Sequence, residues 1–213
     1  MADRVARPPQ IVRTTLRLCL LAALLCGCRP EKYEPRDGDI IFQSFPHNAL
    51  TDAIEGITSS GWSHCGIVHR DGSRWLVLEA VGPVKETPLD EWIARGRDGH
   101  FAAFRLAEKY QPRVPAFLAA AARDIGRPYD IHYRFGDRAI YCSELVYESF
   151  KSATGEELGN VQSLGELNWK PHEAFIRQIE NGDVPLMRRM ITPVALTRAT
   201  QLEPVFSNDP ASR

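Results

Sequence analysis

Between Ser63 and Val81 the chain reads SHCGIVHRDGSRWLVLEAV, two apolar runs rich in valine, leucine and isoleucine about an Asp-Gly pair. No other stretch restricts the fold as tightly, because Asp-Gly between strand-like runs is the strongest short-range hairpin signal. With Asp71 and Gly72 as the central turn residues, facing positions sum to 143, which sets His69 against Arg74, Ile67 against Leu76 and His64 against Glu79. A four-residue loop from Arg70 to Ser73 keeps that register, and a three-residue loop breaks it. Directly opposite residues hold their Cβ atoms about 4.5 to 5.5 Å apart, close enough for a carboxylate to accept a proton from an imidazole. The same face carries Gly66, Val68, Trp75 and Val77, so a histidine and a glutamate there need partners. A structural ion pair meets that need as well as a catalytic one does.

The remaining elements follow from periodicity and punctuation. DIIFQSF predicts a first strand, and Leu50, Ala53, Ile54 and Ile57 predict a short amphipathic helix from Asn48 to just before Gly61. Thr87 as cap, Pro88 at the first helical position and Gly96 as stop predict a second helix. HFAAFRL predicts a strand, and VPAFLAAAARDIG an alanine-rich helix ending at Gly126. Beyond Gly155 the chain reads as loops with a helix at 172–179 and a strand near 187–191. An antiparallel hairpin with separate helices is the pattern of an α+β fold.

The stretch AIYCSELVYESF places Cys142 where a strand-like run turns helical, on one helix face with Leu145, Val146, Ser149 and Phe150. A thiol at a helix N-terminus feels the positive end of the dipole, which favours the thiolate that attacks carbonyl carbon. A packed core also contains lone cysteines on apolar faces, so the thiol acquires chemical meaning only with a base beside it. Six histidines compete for that place, and the hairpin selects His64 because Glu79 orients it. Cys65, next along the strand, points to the other sheet face, so a Cys65–Cys142 disulfide and a Cys142–His64 couple exclude one another in a regular strand. A metal site built from His64, Glu79 and Cys142 is a third arrangement, without the tight ligand spacing that usually accompanies one.

Composition sets the class of partner. The 213 residues carry a formal net charge of −1 and are 44% hydrophobic, which suits one globular domain and gives no reason to expect a nucleic-acid partner. Arg4, Arg7, Arg13 and Arg17 precede the apolar LCLLAALL, a run too short to span a bilayer and typical of a signal peptide. It ends in LCGC, which resembles the lipobox of bacterial lipoproteins, with Cys28 as the residue that receives the lipid. The expected organisation is a signal peptide at 1–27, a tether at 28–36, one domain at 37–195 and a polar tail at 196–213, lipid-anchored in the bacterial cell envelope.

Taken in order, GDIIF (38–42), SHCGIV (63–68), LEAVGPVKETPL (78–89), GRPYD (126–130) and YCSELV (141–146) resemble the YiiX/YebB-like cysteine hydrolases, relatives of the NlpC-type cell-wall peptidases. The resemblance implies a circularly permuted papain-like fold, with an antiparallel sheet packed on helices and histidine ahead of cysteine in the chain. It implies Cys142 as nucleophile, His64 as general base and Glu79 as the third member, with no metal or cofactor. The family usually places an aliphatic residue where this chain has Cys65. Three functions follow as expectations: an envelope amidase cutting peptidoglycan stem peptides, a lipid-directed acyl hydrolase or acyltransferase, and a non-catalytic ligand-binding lipoprotein. An apolar cleft would favour the lipid, and a polar, carboxylate-binding one the peptide.

Overall fold

The computed structural model describes residues 32–136 and 138–210; the signal peptide and Cys28 lie outside them. In chain order the elements are β1 (Ile40–Gln43), α1 (Ala49–Thr58), β2 (His64–Asp71), β3 (Arg74–Ala80), β4 (Val84–Pro88), α2 (Leu89–Arg95), β5 (Phe101–Leu106) and α3 (Val114–Ala122). There follow α4 (Cys142–Thr154), β6 (Gln162–Ser163), α5 (Glu173–Glu180), β7 (Arg189–Met190), α6 (Pro193–Thr197) and β8 (Leu202–Ser207). Six strands form one antiparallel sheet in the order β4-β3-β2-β1-β5-β8, and β6 and β7 pair as a small ribbon. No helix among the described residues is long and apolar enough to cross a membrane.

Alternation along the strands gives the sheet two buried faces. On one, Ile40, Phe42, Cys65, Ile67 and Leu78 pack with Phe117 of α3 and with Cys142, Leu145, Val146 and Phe150 of α4. On the other, Ile41, Val68, Val77 and Phe101 pack with Leu89 and Trp92 of α2. The α4 stripe is the one its spacing predicts, and α4 stops at Gly155.

Three expectations need correction. The β2–β3 register pairs Ile67 with Leu78 and Asp71 with Arg74, so facing residues sum to 145 and the turn is Gly72-Ser73. Gly72 takes a φ of +59° at the first turn position, where a II′ turn places glycine, while Asp71 stays in the strand and its carboxylate accepts from Arg74. A shift of two in the sum leaves every side chain on its expected face. Thr87 and Pro88 belong to β4, which hydrogen-bonds β3 (Val77 opposite Thr87), so Thr87 is not a helix cap. The stretch read as a polar tail contains the end of α6 and all of β8, the latter an edge strand paired with β5; Leu202 at its start is buried, and Val205 and Phe206 are half-buried against the core. At the other end, Tyr33, in the stretch read as tether, packs on Phe101 and Phe206 and donates its hydroxyl to Asp39.

Candidate active site

The corrected register places Glu79 opposite Gly66, one diagonal step from His64. Diagonal neighbours are about 7 to 8 Å apart at the backbone, within reach of long side chains. Gly66 makes that reach open, since a side chain there would collide with Val77 and crowd the Glu79 Cβ at 3.4 Å. Glu79 leans across it, and His64 Nε2 donates to Glu79 Oε2 at 2.6 Å with both residues buried.

Two residues without a sequence signal complete the carboxylate's shell. Thr87 of β4 donates to Glu79 Oε1 at 2.6 Å, and Arg95, in the last turn of α2, donates to Oε2. Phe45 stacks on the His64 ring at 4.7 Å, and the Arg95 guanidinium lies over the other part of that shell, 5.3 Å from the Phe45 centroid. Thr87 becomes predictable once β4 is recognised as a strand, because it then shares the Glu79 face. Arg95 depends on where α2 docks.

The thiol completes the group. Cys142 is 3% exposed and interacts with His64, whose Nε2 is engaged by Glu79. Cys65 interacts with Cys142 within one buried core cluster, and both thiols are free, with no disulfide between them. His64 is the first residue of β2 and Cys142 the first of α4.

Electrostatics follow from the contacts. Burial by itself would lower the His64 pKa, but the bonds to Cys142 and Glu79 overcome it and raise it to about 9. Burial would raise Glu79; His64, Arg95 and Thr87 together hold it at about 2. Cys142 is lowered, first by the Cys65 hydrogen bond and then, against burial, by His64, whereas burial pushes Cys65 up. These shifts favour a thiolate at Cys142 and an imidazolium at His64 beside the Glu79 carboxylate.

From Cys142 a groove runs between α1, α5 and the segments around 131–133 and 190–193. Its walls are apolar, including Ile54, Ile57, Ile131, Leu167, Phe175 and Ile179. Asp130 holds one wall: its carboxylate accepts the backbone N–H of His132 and of Arg134, fixing the loop that presents Tyr133. Tyr141 packs beneath, its hydroxyl accepting the Ile191 N–H at 3.1 Å. Charge in the groove is internally matched, since Arg188 donates two bonds to Glu180 and a third to the His132 carbonyl.

Residues 34–206 match the model of the permuted papain-like amidase enzymes, the YaeF/YiiX or C92 family. The chain belongs to that family. It is a permuted papain-like cysteine hydrolase of the amidase class, with the α+β architecture expected from its motifs. It is 33% identical over 194 residues to the uncharacterized protein YiiX of Escherichia coli K12, covering 90% of this chain and 96% of that protein. The crystal structure of the metalloprotein YiiX from Escherichia coli O157:H7 superposes with a TM-score of 0.79 at 32% identity, over 84% of this chain and all of the other.

The word metalloprotein invites a test of fit. Among the described residues, His47, Asp52 and Glu55 alone are spaced to hold a cation. Glu55 there already accepts from Arg97 at 2.7 Å and from Ser44, so its charge is answered by a guanidinium. In the active site the His64–Glu79 bond itself occupies Nε2. Neither set suits a metal.

Proposed function

We propose that the chain is an envelope-anchored cysteine amidase acting on a substrate with an apolar acyl chain, with Cys142 as nucleophile, His64 as general base and acid, and Glu79 orienting the histidine. The observation that carries this reading is the apolar groove that opens at the Cys142 sulfur. Acyl chains gain about 0.8 kcal/mol per buried methylene, so such a groove binds them strongly and binds ionised peptides poorly. Peptidoglycan stem peptides, expected from the motifs, carry carboxylates, and the groove's half-buried arginine, Arg188, is already engaged by Glu180. The Cys28 lipobox and the arginine-led apolar leader support lipid anchoring at the envelope, beside acyl substrates.

In the proposed mechanism the Cys142 thiolate attacks the amide carbonyl carbon, forming a C–S bond and moving the π electrons to oxygen. Backbone N–H groups at the start of α4 are the natural donors to that oxyanion. The His64 imidazolium protonates the leaving nitrogen, the C–N bond breaks and a thioester remains. His64 then takes a proton from water, which attacks the thioester and releases the acid. An amine entering in place of water would make the same thioester an acyltransferase intermediate.

The test is hydrolysis of an N-acyl glycine series, from acetyl through octanoyl to hexadecanoyl, beside a stem-peptide amide, with the full chain in detergent micelles. We expect kcat/KM to rise along the acyl series and to vanish in Cys142→Ala. A faster reaction on the stem peptide would overturn the acyl reading, and equal rates for Cys142→Ala and wild type would overturn the nucleophile. Binding without turnover by the wild type would favour the ligand-binding lipoprotein.

A further inference from the structure

Cys65 is a buried thiol near the site that hydrolysis does not use. It sits on β2 beside His64, fully buried, in the same core cluster as Cys142, and the two thiols interact. A methyl-bearing side chain would fill this position without the cost of burying a polar hydrogen that needs a partner. Access is asymmetric. Cys142 lines the groove and so meets any small solute entering it, whereas Cys65 touches the site from behind and does not line the groove.

We propose that Cys65 is a resolving thiol, and that Cys65 and Cys142 form a reversible disulfide when a hydroperoxide enters the groove. In the first step the Cys142 thiolate attacks one peroxide oxygen. The O–O bond breaks, an S–O bond forms, and the departing oxygen takes the proton held by His64, leaving Cys142 as a sulfenic acid and releasing water or an alcohol. In the second step the Cys65 sulfur attacks the Cys142 sulfur. The S–S bond forms as the S–O bond of Cys142 and the S–H bond of Cys65 break, and the hydroxyl and proton leave as water. Two thiols are oxidised and one peroxide reduced. A dithiol reductant reverses the change by thiol–disulfide exchange.

The physical consequence is protection as well as arrest. A sulfenic acid without a neighbouring thiol is oxidised further to sulfinic acid, which ordinary reductants do not reverse. The second sulfur ends that route because the partner thiol lies in the same buried core cluster as the oxidised one.

The experiment treats the full chain in detergent with hydrogen peroxide, blocks remaining thiols with iodoacetamide and maps peptides by mass spectrometry without reduction. Wild type, Cys65→Val and Cys65→Ala run in parallel. The expected result is a linked peptide pair holding Cys65 and Cys142 in the wild type, with alkylation of Cys142 lost and then restored by dithiothreitol. In both variants Cys142 should instead reach sulfinic acid and stay unreactive after reduction. Sulfinic acid at Cys142 in the wild type, at the same rate as in the variants and without a linked pair, would overturn the proposal. Peptide linkage is read without any substrate, so a linked pair in a protein that hydrolyses nothing would keep this inference while removing the proposed hydrolase.

Discussion

On the sheet face beneath α4 the strand side chains around the site are Phe42, Cys65, Ile67, Leu78 and Ala80, none of them charged; at the same height the opposite face carries Gln43, His64, Glu79 and Thr87. Both faces are buried, so the difference is one of chemistry and not of solvent. The α4 face is a packed apolar layer that fixes where Cys142 sits. The α2 face is a hydrogen-bonded polar layer that fixes the protonation and orientation of His64. The site exists where the two layers meet, at the end of β2. The division teaches that the nucleophile is held by packing and its base by electrostatics, and the two kinds of support fail differently when perturbed.

Removing the sulfur tests the packed layer. Cys142→Ala should lower hydrolysis by about a thousandfold or more while leaving thermal unfolding near that of wild type, because the change removes one small, mostly apolar group. A large loss of stability would mean that the sulfur is a structural element first. His64→Ala tests the junction: alkylation of Cys142 at about pH 6 should slow by one to two orders of magnitude, since without an imidazolium most of the thiol stays protonated. Unchanged labelling would separate the two layers and break the comparison.

Glu79→Gln perturbs only the polar layer and should lower activity less than His64→Ala. Its clearest signature is a pH profile. With Glu79 present His64 keeps its proton up to about pH 9, so the alkaline limb of the protonation-dependent step should lie there in wild type and move downwards in the variant. If the limb stays in place, Glu79 is not what holds the proton. Equal, negligible effects of His64→Ala and Glu79→Gln would remove the catalytic role of the hairpin pair altogether.

Stability should show the same pair. Glu79 is depressed from 4.5 to about 2, so its contribution is present above 4.5 and is lost as pH falls towards 2. His64 is raised from 6.5 to about 9, so its contribution is present below 6.5 and is lost as pH rises towards 9. The pair therefore stabilises most between 4.5 and 6.5, and a plot of wild-type minus Glu79→Gln melting temperature against pH should peak in that window. A flat difference would show that the pair does not couple to folding. The smallest effect is expected for Thr87→Val, which removes one donor to a carboxylate that keeps two others: about 1 kcal/mol in unfolding free energy and a few-fold change in activity. A loss as large as that of Glu79→Gln would make Thr87 a principal support instead of an auxiliary one.

Much of this was legible in the residues themselves. Period-two alternation assigned His64 and Glu79 to one face and Cys65 to the other, and that assignment survives a register error because a slip of two preserves parity. Helical spacing put Cys142 on the buried stripe of α4, and five short motifs in order pointed to the family. The register itself escaped, since Asp71 can close a turn or end a strand, and the choice depends on whether Gly72 takes the first or second turn position. β4 escaped because Thr-Pro before an acidic helix is also a good cap. β8 escaped because an edge strand exposed along one side has no continuous apolar face to announce it.

The sequence by itself determined which residue types stand on which side of each element, because side-chain direction follows from backbone period alone. Only the tertiary structure decided which elements end at the same place. The meeting of Cys142 with both His64 and Cys65, the reach of Arg95 from α2 to Glu79, and the apolar lining of the groove all join residues far apart in the chain. Such contacts are set by how packed layers dock, a property of the summed interfaces that no local pattern encodes.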